Sequence, residues 1–141
     1  MYRLIYTSRA TADFDDDQLD RLLAKCKANN RRDGITGMLC YWNGMFAQCL
    51  EGAERDVYRT FARIEKDPRH TEVDLLLRAE IPERHFGDWA MHLITLDENV
   101  PSTTLIRRKY PRLDPGDLLF RDPLVVFSLL FDLGLVARGA A

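Results

Sequence analysis

Apolar residues recur with two different periods along the first two thirds of the chain, and each change of period marks a new element. Tyr2 to Ser8 mixes aromatic, β-branched and alternating polar residues, the composition of a strand. An acidic run, Asp13 to Asp17, then suits a helix start. From Asp16 to about Asn30 the apolar positions Leu19, Leu22, Leu23 and Cys26 fall at i, i+3, i+4 and i+7, one face of a helix. Asn29 and Asn30 continue that stripe at its C-terminal end, so two amides sit at the edge of a core-facing surface.

Asp33-Gly34 breaks the helical pattern. Ile35 to Trp42 and Met45 to Glu51 then read as a hairpin, because the intervening Asn43-Gly44 is the preferred two-residue type I′ turn. Glu54 to about Lys66 carries Val57, Phe61 and Ile64 on one helical face before Asp67-Pro68 stops it. Val73 to Ile81 and Trp89 to Leu96 read as two further strands around the Pro82 to Asp88 loop. The order βαββαββ predicts an α+β, ferredoxin-like sheet with both helices on one face. The other face then needs cover, and the tail supplies it: a broken stretch from Ser102 to Leu113, a turn near Asp117 to Phe120, and a helix from Pro123 to about Val136 with Asp122 at its N-cap. Residues 1–97 therefore read as the chemistry-bearing domain and 98–141 as a helical extension packed on the sheet or at an oligomer or partner contact.

Composition narrows the function classes. The 141 residues suit one domain, and 46% hydrophobic and 30% charged residues with a net charge of -2 argue against a nucleic-acid surface held by bulk charge. Cys26, Cys40 and Cys49 form no C-x-x-C pair and, with His70, His85 and His92, no zinc-ligand spacing, so a metal is not expected. With no secretory leader at Met1-Tyr2-Arg3, a reducing, cytoplasmic setting is expected. Leu124 to Val136, interrupted by Ser128 and Asp132, falls short of the ~20 residues of a membrane-spanning helix.

Because strand side chains alternate, Leu4, Tyr6 and Ser8 share one face, as do Phe46, Gln48 and Leu50, and likewise Trp89, Met91 and Leu93. On the helix-covered face, Tyr6, Gln48, Trp89 and Met91 would converge near Asn29 and Asn30, and so many buried polar groups need partners. Six segments then carry a resemblance. Leu4-Ile5-Tyr6-Thr7-Ser8-Arg9-Ala10, Asn29-Asn30, Asp33 to Leu39, Phe46-Ala47-Gln48-Cys49-Leu50-Glu51-Gly52, Asp67-Pro68-Arg69-His70 and Arg84 to Met91 resemble, in order and spacing, the motifs of BLUF domains, sensors of blue light using FAD. The likeness covers about residues 2 to 96, and the tail resembles the two-helix extension of the short, single-domain members.

The resemblance implies non-covalent FAD with its ring between the two helices. Tyr6 would donate an electron and a proton, and Gln48 would exchange hydrogen-bond partners beside the flavin by rotation or tautomerisation. Asn30 and Asn29 would pair with the flavin's polar edge, Leu22 and Ile64 would wall the ring, and Asp67, Arg69 and His70 would lie near the dimethylbenzene side or ribityl chain, with Ser8 also near the cofactor. Trp89 and Met91 would relay the change to the tail, and the output would pass to a homo-oligomer contact or a separate protein partner through Leu124, Phe127, Leu130 and Phe131. No catalytic residue and no membrane or nucleic-acid partner is implied.

Taken singly, the same residues have plainer readings: Tyr6 as a core tyrosine, Gln48 as an edge-strand polar group, Asn29-Asn30 as a helix C-cap, Trp89 and Met91 as core. An acylphosphatase-like hydrolase, with Arg9 or Arg31 holding phosphate and Asn30 orienting water, is a second class, and a flavin-free adaptor a third. Neither alternative accounts for Tyr6, Gln48, Asn30, Trp89 and Met91 occurring together in this order.

Overall fold

The computed structural model describes residues 1–87, 89–96, 101–110 and 121–139. Its elements are β1 (Tyr2–Ala10), α1 (Asp16–Asp33), β2 (Thr36–Trp42), β3 (Met45–Gly52), α2 (Glu54–Glu65), β4 (His70–Glu80), β5 (His92–Thr95), α3 (Pro101–Lys109) and α4 (Pro123–Ala137). The sheet order is β4-β1-β3-β2-β5, with β5 parallel to β2 and the other neighbours antiparallel. This is the expected ferredoxin-like α+β sheet extended by a fifth strand.

Local chemistry explains the element ends. Asp15 caps α1 in a reciprocal capping box with Gln18, satisfying helix N–H groups that have no intrahelical partner. α1 runs past Asn30 to Asp33 and is closed by Gly34 at φ 68°, whose N–H reaches the Asn30 carbonyl. Asn29 and Asn30 therefore lie inside the helix; the C-cap is Gly34. Asn43 and Gly44 both have positive φ, at 53° and 78°, as the type I′ hairpin requires. Asp122 accepts from the Leu124 and Val125 N–H groups, and Pro123 opens α4. The turn expected near Asp117 to Phe120 lies outside the described residues.

Two cores flank the sheet. On one face Leu4, Tyr6, Leu19, Leu39, Phe46, Leu50, Val57, Phe61 and Met91 pack between the strands and the α1/α2 layer. On the other, Ile5, Met38, Cys40, Ala47 and Cys49 meet Val126, Leu129, Leu130 and Leu133 of α4. Those four α4 residues are fully buried, each removal from water contributing about 1.5–3 kcal/mol. Leu130 thus belongs to the core and offers nothing to a partner; Leu124 is 75% exposed, and Phe127 and Phe131 are half-buried. No helix among the described residues is long and apolar enough to cross a membrane.

One expectation about faces fails. The β5 ladder begins only at His92, paired with Met38, so strand alternation does not extend across residues 89–91. Instead, the Trp89 carbonyl accepts the Gly37 N–H at 3.1 Å and the Ala90 carbonyl accepts the Asn30 amide at 2.8 Å. Held this way, Met91 enters the helix-side core while Trp89 packs on the α4 side.

Candidate functional site

Between α1 and α2, over the middle of β1 and β3, lies a cleft of about 210 Å³. Tyr6 and Gln48 form part of its floor. They are register partners in the β1–β3 ladder. The Tyr6 hydroxyl donates to Gln48 Oε1, and Gln48 Nε2 donates to Met91 Sδ at 3.4 Å. Both side chains are about 97% buried. A thioether is a weak acceptor, so the amide spends its donor on a replaceable partner.

The walls come from both helices. Leu22, Asn29 and Asn30 on α1 face Ile64 on α2, and Asp67, Arg69 and His70 follow at the rim. Asp67 accepts from the Arg69 backbone and guanidinium, and that hydrogen-bonded cation holds its carboxyl below the usual range. His70 Nε2 donates to the Ile64 carbonyl, which leaves Nδ1 to accept from Ser8 Oγ at 2.8 Å. Ser8 thus orients His70 and does not itself line the cleft. Burial pushes the Tyr6 phenol well above its ordinary value of 10.0, and the nearby Cys26 and Asp67 push it the same way. The phenol is therefore a neutral donor throughout the ordinary pH range.

The sequence points to ten residues around the cofactor. Nine of them line the cleft: Tyr6, Leu22, Asn29, Asn30, Gln48, Ile64, Asp67, Arg69 and His70; Ser8 stands behind His70. Met91 reaches the site through its sulfur, while Trp89 lies on the opposite side of the sheet. Phe14, Lys25, Cys26, Leu39, Phe46, Thr60 and Arg63 also line the cleft and were not singled out. Two of these were legible: Cys26 sits on the same helical stripe as Asn29, and Phe46 on the same strand face as Gln48. Phe14 precedes α1 and arrives by tertiary packing on Tyr41 and Phe46. Arg9 is paired with Glu72 at 2.6 Å outside the cleft and Arg31 is exposed and does not line it, so neither arginine offered for holding phosphate joins Asn30 there.

Comparison with known proteins then separates the classes. Residues 1–92 match the family model for sensors of blue light using FAD, BLUF. The chain belongs to the BLUF family. A BLUF domain senses blue light through FAD, and this chain is such a sensor. Over 89 residues it is 35% identical to photoactivated adenylate cyclase subunit beta of Euglena gracilis, a match covering 62% of this chain and 10% of that one. Over 93 residues it is 32% identical to the blue light- and temperature-regulated antirepressor BluF of Escherichia coli strain K12, covering 66% and 23%. The chain thus spans a small part of the curated relatives it matches. The solved photo-activated state of BlsA superposes with a TM-score of 0.80 at 28% identity, covering 95% of this chain and 94% of that one.

The cleft suits the family's cofactor. Aliphatic and aromatic walls, the three amides of Gln48, Asn29 and Asn30, and a rim carrying Lys25, Arg63 and Arg69 match a flat heteroaromatic ring with a polar edge and an anionic tail. No cysteine needs to form a covalent link: Cys40 and Cys49 are buried in the opposite core, and burial raises the Cys26 thiol away from its reactive thiolate form.

Proposed function

We propose that the chain holds FAD non-covalently in the α1–α2 cleft and answers blue light by exchanging the hydrogen-bond partners of Gln48. The observation that carries this reading is the continuous chain from the Tyr6 hydroxyl to Gln48 Oε1 and from Gln48 Nε2 to Met91 Sδ, buried at the cleft floor. Bound FAD supplies blue-light absorption and an excited state that accepts an electron.

The protein's own groups do the rest. Tyr6 is the oxidisable phenol, and its bond to Gln48 Oε1 is the route by which its proton leaves. Gln48 offers a donor and an acceptor on one planar amide, so turning it, or shifting its tautomer, changes what it donates to without moving β3. Leu22 and Ile64 exclude water from the ring faces, and Asn29 and Asn30 meet polar ring edges. Asp67, Arg69 and His70, the last oriented by Ser8, close the rim.

The output follows from the division of the chain. Residues 1–97 act as the flavin-binding domain and 98–141 as the extension that carries the signal, by way of Met91 and Trp89, to a second copy or a separate protein partner. The free thiols suit a reducing, cytoplasmic setting. No reaction is assigned to the chain; it is a sensor.

Purified protein should be yellow, release free flavin on heating, and show a small reversible red shift after blue light. A colourless protein that takes up no FAD on reconstitution would overturn the reading and return the hydrolase and adaptor to consideration.

A further inference from the structure

Residues 84–87 and 89–91 lie between β4 and β5 in the chain and are gripped from both sides. On the sheet side, Glu51 Oε1 accepts the His85 and Phe86 N–H groups at 2.9 and 2.7 Å, and Asn30 holds the Ala90 carbonyl. Arg84 donates to the Gly34 and Glu51 carbonyls at 2.7 and 3.0 Å. The segment then delivers Met91 to Gln48.

On the other side the partner is α4. Phe131 stacks on His85 with ring centroids 4.3 Å apart and planes 17° off parallel. Gly134 lets the helix close on Phe86, since a Cβ there would stand 2.9 Å from the buried ring. At the helix end, Arg138 Nη2 donates to the His85 carbonyl at 2.6 Å, and its guanidinium lies 4.8 Å over the Trp89 ring. Arg138 therefore holds the segment at two points, one of them two residues from Met91.

Resting on the light-driven exchange at Gln48, we propose that Arg138 is the positioning residue through which that exchange reaches α4. The geometry explains the choice. Met91 and Trp89 lie on opposite sides of the sheet but flank one anchored peptide, so a shift of Met91 when Gln48 releases its sulfur turns that peptide and moves the Trp89 ring under Arg138. The buried leucines of α4 resist small displacements because a packed core is not continuously deformable. The Arg138 contacts are exposed at the helix end, and exposed cation contacts are weak enough to exchange. The clamp, not the core, is thus the part of α4 docking that a small change can open.

The test uses the full chain with FAD and reads two signals: the flavin absorption shift, and amide hydrogen exchange of residues 123–137 in dark and in blue light. In the native chain light should speed exchange about 5-fold or more, the lower end of ordinary allosteric coupling. Arg138→Ala should keep the red shift but exchange fast in both states, so the light-minus-dark difference disappears. Arg138→Lys, which keeps a cation over Trp89, should restore part of that difference.

Leu129→Ala controls for general loosening: it empties part of the buried α4 core, leaves Arg138 and Phe131 in place and should preserve the difference. A native difference that persists in Arg138→Ala overturns the proposal. So does its loss in Leu129→Ala to the same degree, or its absence from a native chain that does red-shift. A native chain with no red shift instead refutes the light-sensor mechanism on which the clamp rests.

Discussion

Tyr6 and Gln48 stand directly opposite each other on β1 and β3, and the phenol of one donates to the amide oxygen of the other at the floor of the cleft. Cross-strand partners have Cβ atoms roughly 4.5–5.5 Å apart, so the backbone ladder itself sets this contact. The β1–β3 register thus fixes where the two side chains start, and the Gln48 amide plane is the part that could turn without moving the backbone.

Gln48→Leu should retain flavin and lose the reversible red shift, because the side chain that can exchange donor for acceptor is gone. It should also destabilise the protein by about 1–3 kcal/mol, since the buried Tyr6 hydroxyl loses its acceptor. Dark and light spectra with a denaturant titration check both outcomes. A normal light-induced shift with normal recovery would sink the hydrogen-bond switch.

Tyr6→Phe removes the oxidisable phenol and leaves the ring that packs on Phe61 at a centroid distance of 5.5 Å. FAD binding should survive and the photoresponse should not, measured on the same spectra. Binding lost together with the response would mean that Tyr6 chiefly supports the cleft.

Glu51→Gln tests the anchor of the 84–91 segment. Glu51 is fully buried, accepts from Arg3 Nε and Nη2 at 2.9 and 2.8 Å, and receives two backbone N–H groups on its other oxygen. Removing the carboxylate charge leaves the largely buried Arg3 without its counter-ion, which costs about 3–5 kcal/mol for a broken buried pair. The urea midpoint should fall accordingly while the dark absorption spectrum stays unchanged. A change below about 1 kcal/mol would show that the pair contributes little.

Alkaline stability gives a test with a definite sign. Burial raises the Cys40 thiol from 9.0 to about 12 and moves Cys49 the same way. Between the unfolded and folded values the unfolded chain has lost a proton that the folded chain retains. Stability is then complete below about pH 9 and falls as pH rises towards 12, by about 1.4 kcal/mol per pH unit for each such group. Tyr6 joins the decline above the ordinary phenol value of 10.0. Urea midpoints from pH 8 to 11 should drop steeply, and a Cys40→Ala, Cys49→Ala chain should drop less steeply. Equal slopes would mean that these thiols ionise freely in the folded protein.

The period of apolar residues, the Asn43-Gly44 turn and the Asp122-Pro123 helix start are local signals, and each element they announce is present within a few residues. The order of those elements brings Tyr6 beside Gln48 and both beneath Asn30, because a ferredoxin-like sheet leaves β1 and β3 adjacent under two crossover helices. Trp89 shows where local reasoning ends. Alternation from Leu93 back through Met91 to Trp89 holds only while a ladder continues, and this one stops at His92 because Asn30 and Gly37 capture the Ala90 and Trp89 carbonyls. Those captures join residues 50 to 60 positions apart and leave no periodic trace. For the same reason the chain's own pattern determined the elements and which residues share a face within each, whereas the opposite facing of Trp89 and Met91, the burial of Leu130 and the reach of Arg138 to His85 were decided by long-range packing, in which a side chain's partner depends on distant segments arriving at the same place.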